Sequence, residues 1–256
     1  MNYSLITGAA SGIGLELSTL LAEDGNNLIL IGRNEKRLLS LKSSLEKKYN
    51  ISAYVITKDL SKENAPEEIY NEITSRGFVV ENLINNAGFG SFGRFVEIDT
   101  HTDLSMIDTN CRALTHLIKL FLPDMLKRNK GRILNTASTA AFLPGPYMAV
   151  YYATKAYVLS LSEALASETS GTGVTVSVLC PGPTKTEFQS KAKMNKSGFV
   201  KLGFMDAHTV ALHGYKGMLK GKKIIVPGAL NKFLVSAIKL LPRSIVTRMA
   251  KSTQKL

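Results

Sequence analysis

Thr7-Gly8-Ala9-Ala10-Ser11-Gly12-Ile13-Gly14 stands between a short apolar run, Tyr3 to Thr7, and a helix-patterned stretch, Gly12 to Asp24. The run reads as a buried strand because it is continuous and bounded by turn residues; the stretch after it repeats its apolar positions at helical spacing. The glycines are spaced wider than GxGxxG, but the physical logic is the same. They allow a tight turn, close backbone approach to a pyrophosphate, and open N–H groups at a helix start. A lone glycine-rich turn can also serve only to pack helix on strand. Its place between strand and helix favours a nucleotide, with Gly8, Ser11, Gly12, Ile13 and Gly14 as candidate binding residues.

The same alternation continues outward. Further strands are predicted at Leu28 to Ile31, Ala53 to Thr57, Asn82 to Asn85, Arg132 to Thr136, Val174 to Leu179 and Lys223 to Val226. Helices are predicted at Glu35 to Tyr49, Pro66 to Arg76, Thr102 to Arg128 and Tyr151 to Ser170. Buried strands joined by helices imply right-handed crossovers and an α/β, doubly wound parallel sheet of about seven strands with helices on both faces. Ligands of such a sheet bind outside the carboxyl ends of its strands.

At 256 residues and 45% hydrophobic composition, one large domain can bury a full core. Residues 1–228 are read as that domain and 229–256 as a helical extension. Cys111 and Cys180 form no CxxC pair and no secretory leader is recognised, so a reduced, cytoplasmic compartment is expected. No metal site is expected, since His208 and His213 are five apart and a two-ligand zinc helix wants four. No apolar stretch approaches the roughly 20 residues needed to span a bilayer.

The net charge of +12 is concentrated. Residues 1–190 hold 18 Lys and Arg against 19 Asp and Glu, whereas residues 191–256 hold 14 against 1. From Leu230, the residues Phe233, Leu234, Ala237, Ile238 and Leu241 recur at helical spacing opposite Lys232, Ser236, Lys239 and Arg243. Pro242 ends or kinks this amphipathic helix, and Ile245, Val246, Met249 and Ala250 suggest a second one. Its apolar face is expected to pack on the core or across a dimer interface, with weak peripheral contact to an anionic membrane as the alternative. Nucleic acid is disfavoured, because no recognition motif accompanies the charge.

At the end of the second strand, an acidic side chain would bind the ribose hydroxyls of NAD and repel a 2′-phosphate. Gly32 and Arg33 occupy that place, with Lys36 and Arg37 one turn on. NADP(H) is therefore favoured over NAD(H), with Arg33 and Arg37 as phosphate partners. The alternative is a set of surface charges at a helix start. Asp59 is placed to meet the adenine amino group or to cap the following helix.

Tyr151 and Lys155 stand one helical turn apart, and Ser138 precedes the tyrosine by 13 residues. Hydride transfer to a carbonyl leaves negative charge on oxygen, so a proton must arrive and the oxyanion must be held. Bringing a phenol from a pKa near 10 to about 7 requires roughly 4 kcal/mol of phenolate stabilisation. A lysine ammonium at i+4, with an oxidised nicotinamide ring, is an adequate source. Tyr152, three residues from Lys155, competes for this role; adjacent residues point about 100° apart, so only one tyrosine can serve. Asn110 can be read as satisfying backbone groups at a helix irregularity.

The chain resembles the classical short-chain dehydrogenase/reductase family over roughly residues 3–190. The resemblance rests on Thr7 to Gly14, Asn85-Asn86-Ala87-Gly88, Asn110, Ser138, Tyr151-Tyr152-Ala153-Thr154-Lys155 and Pro181-Gly182, in that order. It implies a Rossmann-like fold and selects Tyr151 as the general acid/base. It also implies Ser138 as oxyanion partner, Lys155 as tuner and ribose ligand, and Asn110 as a proton relay through a held water. Asn86, Ala87, Gly88, Tyr151, Lys155, Pro181, Gly182 and Thr186 would line the cofactor site, and a homodimer or homotetramer would form on the helices holding Asn110 and Tyr151.

Phe89, Phe92 and Phe95, then Leu143, Pro144, Pro146, Tyr147 and Met148, then Phe188 and Met194, converge on the strand ends in this topology. They predict a largely apolar pocket for a ketone or secondary alcohol. Gly198, Gly203 and nearby lysines suggest a lid. The activity read from the sequence is an NADP(H)-dependent reductase or alcohol dehydrogenase. The alternative is a cofactor-sensing regulator that binds a partner through its basic tail.

Overall fold

The computed structural model describes residues 2–188 and 204–253. Seven strands run parallel: β1 (Asn2–Thr7), β2 (Asn27–Gly32), β3 (Ala53–Thr57), β4 (Val79–Asn85), β5 (Gly131–Thr136), β6 (Val174–Leu179) and β9 (Ile224–Ile225). Their order is β3-β2-β1-β4-β5-β6-β9. Because successive side chains of a strand point to opposite faces, each apolar run feeds two cores. Leu5, Ile29, Leu83 and Ile133 face one side, against α3 (Ala65–Ser75), α5 (Leu114–Lys127) and α6 (Ala149–Glu168). Ile6, Leu30, Ile84 and Leu134 face the other, against α1 (Gly12–Glu23), α2 (Glu35–Tyr49) and α7 (Ala207–Leu219). Sealing such side chains from water contributes about 1.5–3 kcal/mol each, which is why the sheet is covered on both faces.

Strand order reverses between β1 and β4. Chain ends leaving those two strands diverge to opposite faces and open a crevice, which is where the glycine-rich turn lies.

Three local features depart from the sequence reading. The single helix expected over Thr102 to Arg128 is instead α4 (Thr100–Ile107), a π-helical turn at Asp108–Ala113, and α5. A two-residue parallel ribbon, β7 (Thr184–Lys185) with β8 (Met205–Asp206), was not expected. Neither was α7, whose pattern is interrupted by Gly214 and Gly217. Both glycines let the helix lie close to the sheet: a Cβ on Gly214 would come within 2.9 Å of Leu179, and one on Gly217 would enter Ile225. A hydrogen bond from Tyr215 to Asp24 joins α7 to the end of α1.

The extension forms α8 (Ala229–Leu240) and α9 (Arg243–Thr253). Leu241, just before Pro242, is extended at φ −92° and ψ 145°, as a residue preceding proline must be to avoid the ring. The predicted break therefore falls where expected. Among the described residues, no helix is long and apolar enough to cross a membrane. Gly198, Gly203, Met194 and the neighbouring lysines lie outside the described residues.

Candidate active site

The Thr7–Gly14 turn is built by a clamp from β4. Asn86 Nδ2 donates to the Thr7 carbonyl at 3.1 Å, while the Thr7 hydroxyl accepts from the Asn86 and Ala87 amides, each at 3.0 Å. Gly8 and Gly12 adopt φ of +67° and +54°, in the left-handed region where a side chain is strained. A Cβ on Gly14 would penetrate the Gly8 carbonyl and approach Asn86 Nδ2 at 2.5 Å. Ser11 makes no side-chain cap on α1, leaving the first-turn N–H groups directed to the cleft. An anionic pyrophosphate fits this cradle. Gly14→Ala is expected to cost about 1–3 kcal/mol through overpacking and to weaken coenzyme binding. Thermal denaturation and coenzyme titration check it; wild-type values in both would mean the turn relaxes around a methyl group.

The turn opens into a cleft of about 1010 Å³ that extends from Arg33 and Asp59 to Ser138, Tyr151 and Phe188. Gly8, Ser11, Gly12, Ile13, Arg33, Arg37, Asp59, Asn86, Ala87, Gly88, Pro181, Gly182 and Thr186 all line it. Gly14 instead lies behind the turn, where its missing side chain allows helix and strand to close. Thr186 sits over Gly12, 3.1 Å from the position a Cβ would take there. Lys36 does not line the cleft. Arg37 donates to both Glu187 carboxylate oxygens, at 2.9 and 3.1 Å, spanning from α2 to the segment after β7. Asp59 does not cap α3, which starts at Ala65; its Oδ1 accepts from the Ser61 amide at 3.0 Å and hydroxyl at 2.9 Å. Burial pushes that carboxyl up, but the Ser61 bonds and the Arg33 charge outweigh it and hold the pKa below the usual carboxylate value.

At the other end, the rotation of α6 brings Tyr151 and Lys155 to the cleft together. Lys155 is 5% exposed, and its Nζ donates to the Thr136 carbonyl at 2.9 Å, at the carboxyl end of β5. Burial lowers its pKa to about 8, the Cys111 and Cys180 thiols acting weakly the other way. Ser138 lies two residues beyond Thr136; its hydroxyl accepts from the Ala140 amide at 3.1 Å and donates to the Pro181 carbonyl at 3.4 Å. The Tyr151 ring packs on Phe188, with centroids 5.3 Å apart. Tyr152 turns into a satellite core with Ala140 and Met148, and its ring fills the space left by the missing side chain of Gly145.

The tuning expected at Tyr151 is not present in the protein alone. Burial raises the phenol to about 12, with the nearby Ser138 hydroxyl acting the other way. The reason is geometric: Lys155 Nζ is committed to Thr136 and lies 5.8 Å from the Tyr151 ring centroid, too weakly coupled to offset desolvation.

Asn110 occupies the π-helical turn and is 1% exposed. Its Nδ2 donates to Phe89 O at 3.0 Å and to Thr154 Oγ1 at 3.1 Å, and its Oδ1 accepts from Phe89 N at 3.2 Å. It thus ties the loop after β4 to α6. A Cβ on Gly88 would lie 2.9 Å from Asn110 Oδ1 and 3.3 Å from Lys155 Nζ, so Gly88 leaves both groups facing one space.

Of the apolar residues expected at the substrate, Phe89, Met148 and Phe188 line the cleft. Phe95 is 67% exposed and does not line the cleft. Phe92 and Leu143 pack on the satellite core and the Phe92 ring lies 6.3 Å from that of Tyr147; neither they, Tyr147 nor the two prolines line the cleft. Phe204 lines it unexpectedly, as do Thr136 and Glu187. Only the adjacency of Thr7 to the glycines and of Thr136 to Ser138 signalled anything in the sequence.

Residues 2–197 match the family profile described as short chain dehydrogenase. The chain belongs to that family. As a short-chain dehydrogenase it is an NAD(P)-dependent oxidoreductase acting on a small molecule. It is 35% identical over 189 residues to sulfoacetaldehyde reductase 2 of Chromohalobacter salexigens, covering 72% of this chain and 73% of that one. It is 29% identical over 260 residues to a very-long-chain 3-oxoacyl-CoA reductase of Anas platyrhynchos, covering 99% and 80%. A short-chain dehydrogenase of Sphingobium yanoikuyae, solved in complex with NADPH, superposes with a TM-score of 0.82 at 27% identity, covering 95% and 97%. The cofactor-sensing alternative gains no support from these matches, which are reductases and a dehydrogenase.

Proposed function

We propose that this dehydrogenase uses NADP(H) to interconvert an apolar ketone and its secondary alcohol in the cytoplasm, as a homodimer or homotetramer. The observation that carries the reading is the convergence of Ser138, Tyr151 and Lys155 on the cleft that begins at the Gly8–Gly14 turn. The cradle at Gly8, Gly12 and Gly14, the first turn of α1, and Asn86, Ala87, Gly88, Pro181, Gly182 and Thr186 would hold the coenzyme. When bound, the coenzyme supplies the hydride and, in its oxidised form, a positive charge near Tyr151.

The remaining steps fall to the chain. Ser138 Oγ holds the carbonyl oxygen, and Tyr151 gives its phenolic proton to that oxygen as negative charge develops. Lys155 would hold the ribose hydroxyls and, with Asn110, would return a proton to Tyr151 through a water. The Gly88 space that faces both groups supports this path. Phe89, Met148, Phe188 and Phe204 exclude water from an aliphatic or alicyclic ketone. The match to the 3-oxoacyl-CoA reductase runs through the helical extension and adds acyl ketones to the candidates. Exposed Leu104 and Ile107 on α4 and Tyr157 on α6 support association through those helices. Residues 1–228 serve as the catalytic domain, with 229–256 its extension.

Arg33 carries the coenzyme preference. No carboxylate ends β2, and Arg33 stands at the cleft where a 2′-phosphate would lie. Fluorescence titration is expected to show tighter binding of NADPH than NADH. Arg33→Ala should weaken NADPH by about 10–100-fold, the strength of one or two charge-assisted bonds, with little change for NADH. Equal loss for both coenzymes would remove Arg33 from specificity, and a wild-type preference for NADH would overturn the NADP(H) assignment.

A further inference from the structure

We propose that the exposed apolar face of α8 and α9 docks on an anionic lipid membrane, beside the substrate mouth of the cleft. These helices already have a core side: Val235 on α8 and Val246 and Ala250 on α9 are buried. A second apolar face remains. Leu230, Phe233, Leu234 and Leu240 are exposed, Phe233 at 69% and Leu240 at 87%. At 3.6 residues per turn they fall within an arc of about 120°, with Val235 outside it. On α9, Ile245 and Met249 repeat the pattern, exposed at 43% and 55%. Large apolar side chains seldom gather in water without a partner.

Charge selects the partner. From Ala207 to Leu256 the sequence has ten Lys and Arg and no Asp or Glu. Lys232, Arg243, Arg248 and Lys251 are exposed; by helical position Arg248 flanks the apolar residues of α9, while Lys232 lies on the far flank of α8, within reach of a surface only through its long stem. A second copy of the chain meeting this face about a two-fold axis would bring like charges together with no Asp or Glu on either helix to offset them. An anionic bilayer satisfies both features, because the apolar side chains enter the headgroup boundary while the basic side chains meet lipid charge. Two helices with both signals compensate for the weak binding of either alone.

The face adjoins the site. α8 packs on the Thr139–Phe142 turn that follows Ser138, and Asn231 rests against Gly182, where a Cβ would meet it at 2.5 Å. Gly228, which starts α8, lies against Met205, and the neighbouring Phe204 lines the cleft while remaining 38% exposed. A docked molecule would present its apolar mouth to the bilayer, so a lipid-dissolved ketone could enter without crossing water; this delivery step rests on the proposed function.

The test is co-sedimentation of the full chain with phosphatidylcholine vesicles, with and without phosphatidylserine. Partitioning should be at least about tenfold stronger with phosphatidylserine and should fall with salt. Phe233→Ser/Leu240→Ser and, separately, Lys232→Glu/Arg248→Glu should each reduce it about tenfold or more while turnover of a water-soluble ketone is unchanged. Wild-type partitioning in both double variants would overturn the proposal. So would a lipid-free dimer, seen by analytical ultracentrifugation, that Phe233→Ser/Leu240→Ser dissociates, since the face would then belong to a second copy. A vesicle-borne ketone should lose kcat/KM in step with partitioning; if it does not, delivery is overturned and docking stands. Binding without turnover of any ketone would sink the proposed function and leave docking intact.

Discussion

Tyr151→Phe is expected to lower turnover by about 10²–10⁴-fold, the usual contribution of a positioned proton donor, while coenzyme titration is unchanged. Phenylalanine keeps the ring contact with Phe188 and removes only the hydroxyl, so the loss reads proton transfer rather than packing. Tyr152→Phe is the control. Its ring belongs to the satellite core with Ala140 and Met148, and its turnover should stay near wild type. The opposite pattern would assign the chemistry to Tyr152.

The phenol pKa of about 12 in the protein alone sets a direction as well. A raised pKa keeps the proton on Tyr151 throughout the neutral range, so reduction always finds its donor. Oxidation requires the phenolate, whose fraction grows with pH. Ketone reduction should therefore vary little over roughly pH 6–9, whereas alcohol oxidation should rise with pH across the same range. Equal profiles in both directions would mean that the bound coenzyme overrides burial and lowers the phenol into the neutral range.

This sign could not be read from the sequence, and the reason is instructive. The i+4 spacing of Tyr151 and Lys155 gives proximity, but it does not say where Nζ points. The structure sends it to the Thr136 carbonyl, so the group that could lower the tyrosine is held by β5 instead. The π-helical turn around Asn110 is hidden for a similar cause: its tertiary partners, Phe89 and Thr154, lie 21 and 44 residues away. Conversely, the strands were legible because parallel strands buried on both faces are continuous apolar runs, as at Leu28 to Ile31. α7 was obscured by Gly214 and Gly217, whose lack of side chains is a packing requirement against Leu179 and Ile225 and carries no signal in helical periodicity. Phe92, Phe95 and Leu143 show the limit of topology. It brings their segments to the right end of the sheet, yet the face each ring takes is decided by neighbours such as Tyr147 and Ala140.

Lys155→Met is expected to abolish most turnover without destabilising the fold. Turnover should fall by at least about 10²-fold, since the variant loses both the ribose donor and the proton path to Tyr151. Stability should respond differently. Burial brings the Lys155 pKa from its ordinary 10.5 to about 8, so near pH 7 the native state carries an ammonium it has largely desolvated. At about 1.4 kcal/mol per tenfold, that fall corresponds to roughly 3 kcal/mol of disfavoured charge. That shift comes from burial; replacing the side chain also forfeits the bond to Thr136, about 1.5–3 kcal/mol for a charged donor. Methionine retains most of the volume, and the terms nearly cancel or leave a small gain. The pH dependence separates them. With a depressed folded pKa, the native state binds fewer protons than the unfolded chain between about pH 8 and 10.5, so wild-type stability rises through that window. Below pH 8 both states are protonated and this slope vanishes; the methionine variant should lack it throughout. Urea unfolding of both proteins at pH 7 and pH 9.5 measures the difference. A variant that is inactive and several kcal/mol less stable at both pH values would make the tether to Thr136, and through it the placement of β5 against α6, the main service of Lys155. Full stability with lost turnover would instead mean that the fold carries this buried charge because the chemistry at Tyr151 requires it.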